Sequence, residues 1–255
     1  MIEIYTSIAL NLLIFAIIGW IYSLVSKNVT HVDSMWSLFF LIAYATGYIL
    51  APERTDTQIA VLTALILWSL RLSAHLTVRN WGKPEDIRYQ NIRANNEPNF
   101  KWKSLYIIFI LQAILAFVIA VPIINITQDN QGYSFYTQVG LGIFLLGFVI
   151  EIVADRQLGS FLAKNSKKQV LNQGLWRYSR HPNYFGECLI WWGLYVVAIP
   201  SSSLFAIISP VLMTLLLVKI SGADLMESTI KKRRPDYAKY VKTTSKFIPW
   251  PPKNS

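Results

Sequence analysis

The sequence predicts an all-α fold: a polytopic membrane bundle of seven transmembrane helices, with the N-terminus outside and the C-terminus cytoplasmic. The chain is 53% hydrophobic and only 15% charged, which is too apolar for an ordinary soluble domain. Apolar segments of the length that crosses a bilayer, about 20 residues, recur along it. The basic residues fall almost entirely between these segments.

Seven apolar segments are expected to form the helices. We expect the first to be retained, because no basic region precedes it and no small-residue cleavage site follows it. The last two flank Pro200 and a short run of serines, which favours a tight helical hairpin. No repeat or linker interrupts the chain, so a single transmembrane domain over residues 1–255 is expected. The segments are 5–25, 33–51, 58–78, 104–126, 136–158, 185–200 and 203–221.

The loop charges predict the orientation. Segments 79–103 and 156–183 carry six Lys or Arg each, and the tail from Lys219 carries nine. Cytoplasmic loops carry the excess of basic residues, and seven helices place all these segments on one side. We therefore expect an inner-membrane protein whose functional site faces the cytoplasm.

The formal charge of +10 does not predict nucleic-acid binding, because the cations do not form one continuous polar surface. The expected partners are membrane lipids, and no protein partner is evident. The single cysteine, Cys188, excludes an internal disulfide and a multi-cysteine metal site, and no metal is expected.

The loop 79–93 combines cations, amides, a glycine and aromatic rings at a membrane face. Asn80, Lys83 and Arg88 are its candidate ligand-binding residues, since Arg and Lys bind phosphate and Gly82 lets the backbone approach closely. The alternative is plain positive-inside charge in contact with anionic lipid.

Two acids lie at the cytoplasmic end of the fifth segment. Glu151 and Asp155 are spaced i and i+4, so they share one helix face. Acids near hydrocarbon are costly and are functional candidates by default. The alternative is a structural ion pair with Arg71 or Arg156.

The run 174–187 is the most specific signal in the sequence. Pro182 is expected to start the sixth helix, whose free N–H groups face an anion while neighbouring cations supply charge. The alternative for a lone histidine is a structural role. The candidate residues of this run are Arg177, Arg180, His181, Asn183 and Glu187.

The candidate catalytic residues, Asp33 and Trp36, lie where the second segment enters the membrane. Asp33 is a candidate acid catalyst, or alternatively only a helix N-cap. Near the C-terminus, Tyr240 is a further candidate, and the basic cluster 231–234 is expected to contact lipid. No dinucleotide-binding glycine motif, phosphate-binding loop, catalytic triad or zinc spacing occurs.

These motifs resemble the bacterial membrane family DUF1295 over nearly the whole chain. The resemblance rests on the run 175–187, on Asn80 to Asp86, and on the ending from Tyr240 to Trp250. That family is in turn similar, over residues 79–250, to the C-terminal region of steroid 5-alpha-reductases, which reduce a conjugated C=C bond with NADPH. The catalytic Gln-Glu pair of those enzymes has no clear match here, so a steroid substrate is not implied.

The resemblance implies roles residue by residue. Asn80, Gly82, Lys83 and Pro84 match a dinucleotide-binding loop with Lys in place of Arg, and Glu151 with Asp155 matches an Asn-x-x-x-Asp pair. It implies that Lys83, Arg88, Arg177 and Arg180 contact phosphates, that Asn80, Asp155, Asn183 and Glu187 bind amide and ribose groups, that Tyr240 closes the site, and that Asp33, kept protonated, polarises the substrate.

Two alternatives stay open. The Arg-His-Pro-x-Tyr-x-Gly pattern also resembles isoprenylcysteine carboxyl methyltransferases, in which S-adenosylmethionine would replace NADPH and Glu187 or Glu227 would face the sulfonium. A non-catalytic lipid-binding protein is the second alternative. The leading expectation is an NADPH-dependent reductase of an activated C=C bond in a lipid-like, steroid- or fatty-acyl-like substrate.

Overall fold

The structure is a computed structural model, and it describes residues 2–128, 130, 132–164, 169–220 and 237–253. The predicted all-α class is confirmed: this part of the chain is helical and contains no strand, only an isolated backbone bridge between Ser179 and Ser245. Two compact units are distinguished, Met1–Ser134 and Phe135–Ser255. The predicted basic cluster 231–234 and Glu227 lie outside the described residues.

The described residues of unit 1 form five helices, the fourth of which was not predicted because it is a short, polar helix in the loop. The fifth contains π-helical turns over Leu105–Ile110 and carries Pro122 in its interior. The helices are α1 (Ile2–Ser26), α2 (Val32–Leu50), α3 (Asp56–Asn80), α4 (Ile87–Ala94) and α5 (Phe100–Ile126).

Helix α2 is the centre of unit 1, since it packs against α1, α3 and α5. Its side chains Phe39, Phe40 and Tyr44 are fully buried, as is Trp68 of α3. The start of α3 is fixed by a capping box, in which Thr55 and Gln58 each accept a hydrogen bond from the other's backbone N–H. Such a box satisfies N–H groups that a helix start otherwise leaves open.

Unit 2 is built on two long helices, α6 (Phe135–Lys164) and α7 (Pro182–Ala198), followed by α8 (Leu204–Lys219) and the short α9 (Tyr237–Thr243). Glycines face each other in two places along α6 and α7. A Cβ on Gly140 would lie 2.6 Å from the Gly193 carbonyl oxygen, and one on Gly147 would lie 2.5 Å from that of Gly186. Backbones this close require glycine on both sides.

The apolar helices give the chain the character of a multi-pass membrane protein. Five of them, α1, α2, α3, α5 and α6, are long and apolar enough to cross a membrane, while α8 is shorter. Each of the seven predicted segments coincides with a helix to within a few residues. The single-domain organisation stays a prediction.

Candidate functional site

The candidate residues of unit 2 gather where α6 and α7 touch. The amide Nδ2 of Asn183, in the first turn of α7, donates to Asp155 Oδ1 on α6 at 3.1 Å. A Cβ on Gly186 would lie 3.0 Å from Glu151 Cβ, so the next turn of α7 lies directly against that acid. Because the glycines lack side chains, the two helices lie close enough for these polar groups to contact one another.

Three acids of this helix pair are almost fully buried. Glu151, Asp155 and Glu187 expose 2%, 6% and 8% of their surface. Burial of a carboxylate is costly unless hydrogen bonds or cations compensate it, and none of these acids is without an interaction. The pair thus encloses an acidic polar centre between otherwise apolar helices.

The start of α7 is rigidly built. The His181 N–H donates to Ser179 Oγ at 3.1 Å, and the His181 ring lies parallel to the Tyr184 ring with centroids 5.6 Å apart. Just upstream, Trp176 Nε1 donates to the Ala154 carbonyl of α6 at 3.0 Å. Pro182 occupies the first turn as predicted, where its missing N–H costs nothing.

The C-terminal tail is tied to this helix start by Arg180 and Tyr240. Arg180 Nη1 donates to the carbonyls of Val241 and Thr244 at 2.9 and 3.2 Å, and the Tyr240 hydroxyl donates to the carbonyls of Trp176 and Ser179. Both side chains are buried. Arg177, by contrast, is exposed, so it is the candidate cation of this run that is open to a ligand.

In unit 1, Asp33 is the centre of a polar cluster. Arg88 Nη2 lies 2.6 Å from Asp33 Oδ2, and the Tyr89 hydroxyl donates to Asp33 Oδ1 at 2.6 Å. Arg88 Nε also pairs with Asp86 at 2.9 Å. Trp36 lies one turn further along α2, edge-on to Phe40.

This cluster bears on two predicted roles. An acid that polarises a carbonyl must donate a hydrogen bond, whereas both Asp33 oxygens here accept one from a strong donor. The guanidinium of Arg88 is likewise engaged by two carboxylates. Phosphate contact by Arg88 and acid catalysis by Asp33 stay predictions; acid catalysis requires the contacts of Asp33 to be broken first, whereas Arg88 keeps further N–H donors.

Hydrogen bonds and ion pairs in the same loop shift the pKa values of its charged side chains. Burial alone would raise the pKa of Glu85, but hydrogen bonds from Arg93 and the Val29 N–H lower it below its usual range. The pKa of Asp86 is also lowered, since the side-chain and backbone hydrogen bonds from Arg88 outweigh burial. Burial would lower the pKa of Arg88, yet Asp33 and Asp86 raise it. The loop is therefore cross-linked by ionised pairs.

Asn80 is the last residue of α3 and Lys83 follows three residues later, where its ammonium group donates to the Arg79 carbonyl. Gly82 has a φ of +67°, which favours glycine and turns the chain so that the Lys83 N–H donates to the Asn80 carbonyl at 3.1 Å. Lys83 is exposed. The buried Nδ2 of Asn80 has no hydrogen-bond partner in the described part of the chain.

The structure thus brings the candidates together within each unit. Asp33 and Arg88 form one cluster in unit 1, and the residues of α6, α7 and the tail form another in unit 2. Tyr89, Ser179 and the facing glycines were missed. The equal seven-residue spacing of Gly140 with Gly147 and Gly186 with Gly193 was a usable signal in the sequence.

Comparison with known proteins identifies the family. The model of DUF1295, a protein family of unknown function, matches residues 19–244. The chain therefore belongs to the DUF1295 family, as the motifs indicated. An uncharacterised protein of the fission yeast Schizosaccharomyces pombe is similar, with 28% identity over 278 aligned residues that cover 94% of this chain and 78% of the relative. No solved structure matches significantly.

The donor groups of each unit, taken separately, can be compared with what a nicotinamide dinucleotide requires. Exposed Lys83 and Arg177 suit phosphate oxygens, and the unpartnered amide of Asn80 suits an acceptor on a ligand. Asn183 and Asp155 present paired amide and carboxylate groups of the kind that bind ribose hydroxyls. Arg88 and Arg180 fit less well, because their hydrogen bonds within the protein already occupy them.

Proposed function

We propose that this chain is a membrane-embedded, NADPH-dependent reductase of an activated C=C bond in a lipid-like substrate. The observation that carries the proposal is the contact between Asn183 and Asp155 beside two further buried acids. Costly polar groups are retained inside apolar helices where they serve a function. The resemblance of the same residues to the steroid 5-alpha-reductase pattern supplies the reaction class.

Each candidate has a role that its surroundings support. When bound, NADPH supplies the hydride. Asn183 and Asp155 hold ribose or amide groups, Glu187 lies one turn further along α7, and Arg177 neutralises phosphate charge. Arg180 and Tyr240 position the start of α7 by fixing the tail, and His181 is held by its stacked partner.

In unit 1, Lys83 contributes a point charge for phosphate and Asn80 contributes an amide donor. Lys lacks the forked geometry of Arg, so phosphate contact at Lys83 is less directional. Apolar helices exposed to the bilayer would give a lipid-like substrate access to the protein.

We further propose seven spans, with the basic segments in the cytoplasm of a bacterial inner membrane. Two shorter helices, α7 and α8, would complete the seven spans. Helix α7 has 17 residues and extends about 26 Å. Both approach the thickness of a hydrocarbon core of about 30 Å. The positive-inside distribution supports this orientation.

The test is ligand binding by the purified full chain in neutral detergent. NADPH should bind with micromolar affinity, and Lys83→Met and Glu187→Gln should each weaken it by about tenfold, as expected for the loss of one charge-assisted contact of about 1.4 kcal/mol. Lys101→Met, which removes an exposed cation outside the motifs, is the matched control. Unchanged affinity in both site variants would show that the cofactor is bound elsewhere.

One observation favours the methyltransferase as the second candidate. Three acids, Glu151, Asp155 and Glu187, are buried on α6 and α7, and a carboxylate suits the sulfonium of S-adenosylmethionine. The same binding experiment with S-adenosylmethionine separates the two. Tight binding of S-adenosylmethionine without binding of NADPH would replace the reductase proposal, and binding of neither would favour a non-catalytic lipid-binding protein.

A further inference from the structure

A groove of about 520 Å³ runs along the last turns of α6 in unit 2. One wall is helical and includes Arg156, Ser160 and Lys164, and the other is the returning segment at Leu171 to Gly174. The floor is fixed, because the Gln157 side chain accepts a hydrogen bond from the Leu175 N–H at 3.0 Å. Gly174, at a φ of +57°, lies directly against that amide.

The polar end of the groove is cationic. Arg156 and Lys164 are exposed, and no hydrogen bond or ion pair joins either of them to another residue that the structure describes. None of the residues that line the groove is acidic. Eight residues separate the two cations, so they are about 12 Å apart along the helix axis with the Ser160 hydroxyl between them.

The same helix face becomes apolar in the direction of the α6 N-terminus. Leu145, Val149 and Val153 are 59%, 49% and 38% exposed. With 3.6 residues per turn, these side chains and those of Arg156, Ser160 and Lys164 fall within a sector of roughly 100°. One continuous stripe therefore passes from exposed apolar side chains to unpaired cations.

We infer that this stripe and groove bind an anionic phospholipid. The phosphate contacts Arg156 and Lys164, and an acyl chain lies along Val153 and Val149. A soluble phosphate would use the cations but has no need of the apolar stripe, whereas a phospholipid matches both parts. Basic sites beside transmembrane helices are a usual arrangement for anionic headgroups.

The experiment measures binding of a fluorescent phosphatidylglycerol to the full chain in neutral detergent, with phosphatidylcholine as the competitor. Wild type should prefer phosphatidylglycerol, and R156Q/K164Q should lose roughly 30-fold in affinity for it, which corresponds to about 2 kcal/mol for two cations near a membrane surface. The matched control is K239Q/K242Q, which removes two exposed cations from α9. It should change the affinity less than twofold.

Further arms separate the lipid from other phosphates. V149S/V153S should weaken phosphatidylglycerol binding while its thermal unfolding stays as in wild type. Displacement of the lipid by millimolar inorganic phosphate or by NADPH would overturn the inference, because the groove would then be a phosphate or cofactor site. Equal affinity of wild type and R156Q/K164Q would also overturn it. The readout is lipid binding, so its outcome is independent of the proposed reductase activity.

Discussion

The carboxylate of Asp33 joins two segments that are 55 residues apart in the sequence. Its oxygens accept from Arg88 and Tyr89, and nearby Thr30 Oγ1 accepts from the Asp86 N–H at 2.9 Å. The first turn of α2 thereby holds the start of α4. At the scale of the residue, Asp33 acts as a structural acceptor irrespective of any role in chemistry.

Asp33→Asn should destabilise the protein by about 2 kcal/mol, the usual cost of losing a hydrogen bond to a charged group. The asparagine amide would direct its own donors at Arg88 or Tyr89, so one of these would lose its acceptor. Thermal unfolding in detergent measures the change, with exposed Glu53→Gln as the control. A midpoint equal to that of wild type would contradict the cluster seen here.

The lowered pKa values of Glu85 and Asp86 predict that the protein loses stability at acidic pH. Their ordinary values are 4.5 and 3.8, and a carboxyl group whose pKa is lower in the folded state stabilises the fold above its unfolded pKa. That contribution is lost as the pH falls through the folded pKa. Stability from this source should be constant between neutral pH and about pH 5 and decline below that.

Glu85→Gln tests this dependence. The variant should unfold at a lower temperature than wild type at pH 7, and the difference should shrink as the pH falls below 4.5 through the lowered pKa of Glu85, because wild-type Glu85 then becomes protonated too. Glu53→Gln should show no such convergence. A difference that stays constant with pH would mean that ionisation of Glu85 does not stabilise the loop.

At the scale of the helices, the packing of α6 on α7 determines which polar groups meet. The two glycine pairs bring the backbones close enough for the Asn183 amide to reach Asp155. Cα–H···O contacts between such backbones add a small stabilisation. The helix contact and the candidate site therefore depend on the same residues.

Gly147→Ala should destabilise unit 2 by about 1–3 kcal/mol, the usual cost of overpacking. Its Cβ would lie 2.5 Å from the Gly186 carbonyl oxygen, which is backbone and cannot rotate away. Gly142→Ala on the same helix is the matched control, because a Cβ there meets nothing within 4 Å. Thermal unfolding should separate the two variants, and equal midpoints would show that the helices are not in this contact.

Tyr240→Phe should loosen the tail without unfolding the helices. The hydroxyl donates to two carbonyls of the segment before α7, and its loss costs about 1 kcal/mol. Hydrogen exchange at the Trp250 amide, which donates to the Tyr178 carbonyl, should accelerate about fivefold. Tyr178→Phe removes an exposed hydroxyl as the control, and equal exchange in both variants would show that Tyr240 does not hold the tail.

For the whole molecule, apolar length predicted the helices because a bilayer imposes a length on each span. Apolar length did not predict α4 and α9, because both helices are short and polar. Contacts with Asp33 and Glu85 stabilise α4, and the tail contacts stabilise α9. The spacing from Glu151 identified Asp155 as a candidate and the run 174–187 identified Asn183, but neither predicted their hydrogen bond. That bond depends on how closely two helices approach, and the glycines that allow it form no polar motif.

The proposed topology can be tested by labelling introduced cysteines. The chain has a single cysteine of its own, Cys188, which is buried and gives a low labelling background. Seven spans require the 79–103 segment and the turn at Glu53 to lie on opposite sides of the membrane. Cysteines placed at Gln90 and at Glu53, both exposed, should then react with a membrane-impermeant maleimide in opposite vesicle preparations: Gln90→Cys in inside-out vesicles and Glu53→Cys in right-side-out vesicles. A cysteine at exposed Lys253 should follow Gln90→Cys, because four spans, α5 to α8, separate Lys253 from Gln90, and an even number of spans returns the chain to the same side of the membrane. Labelling of Lys253→Cys with Glu53→Cys instead would mean that either α7 or α8 does not cross, and that six spans replace seven.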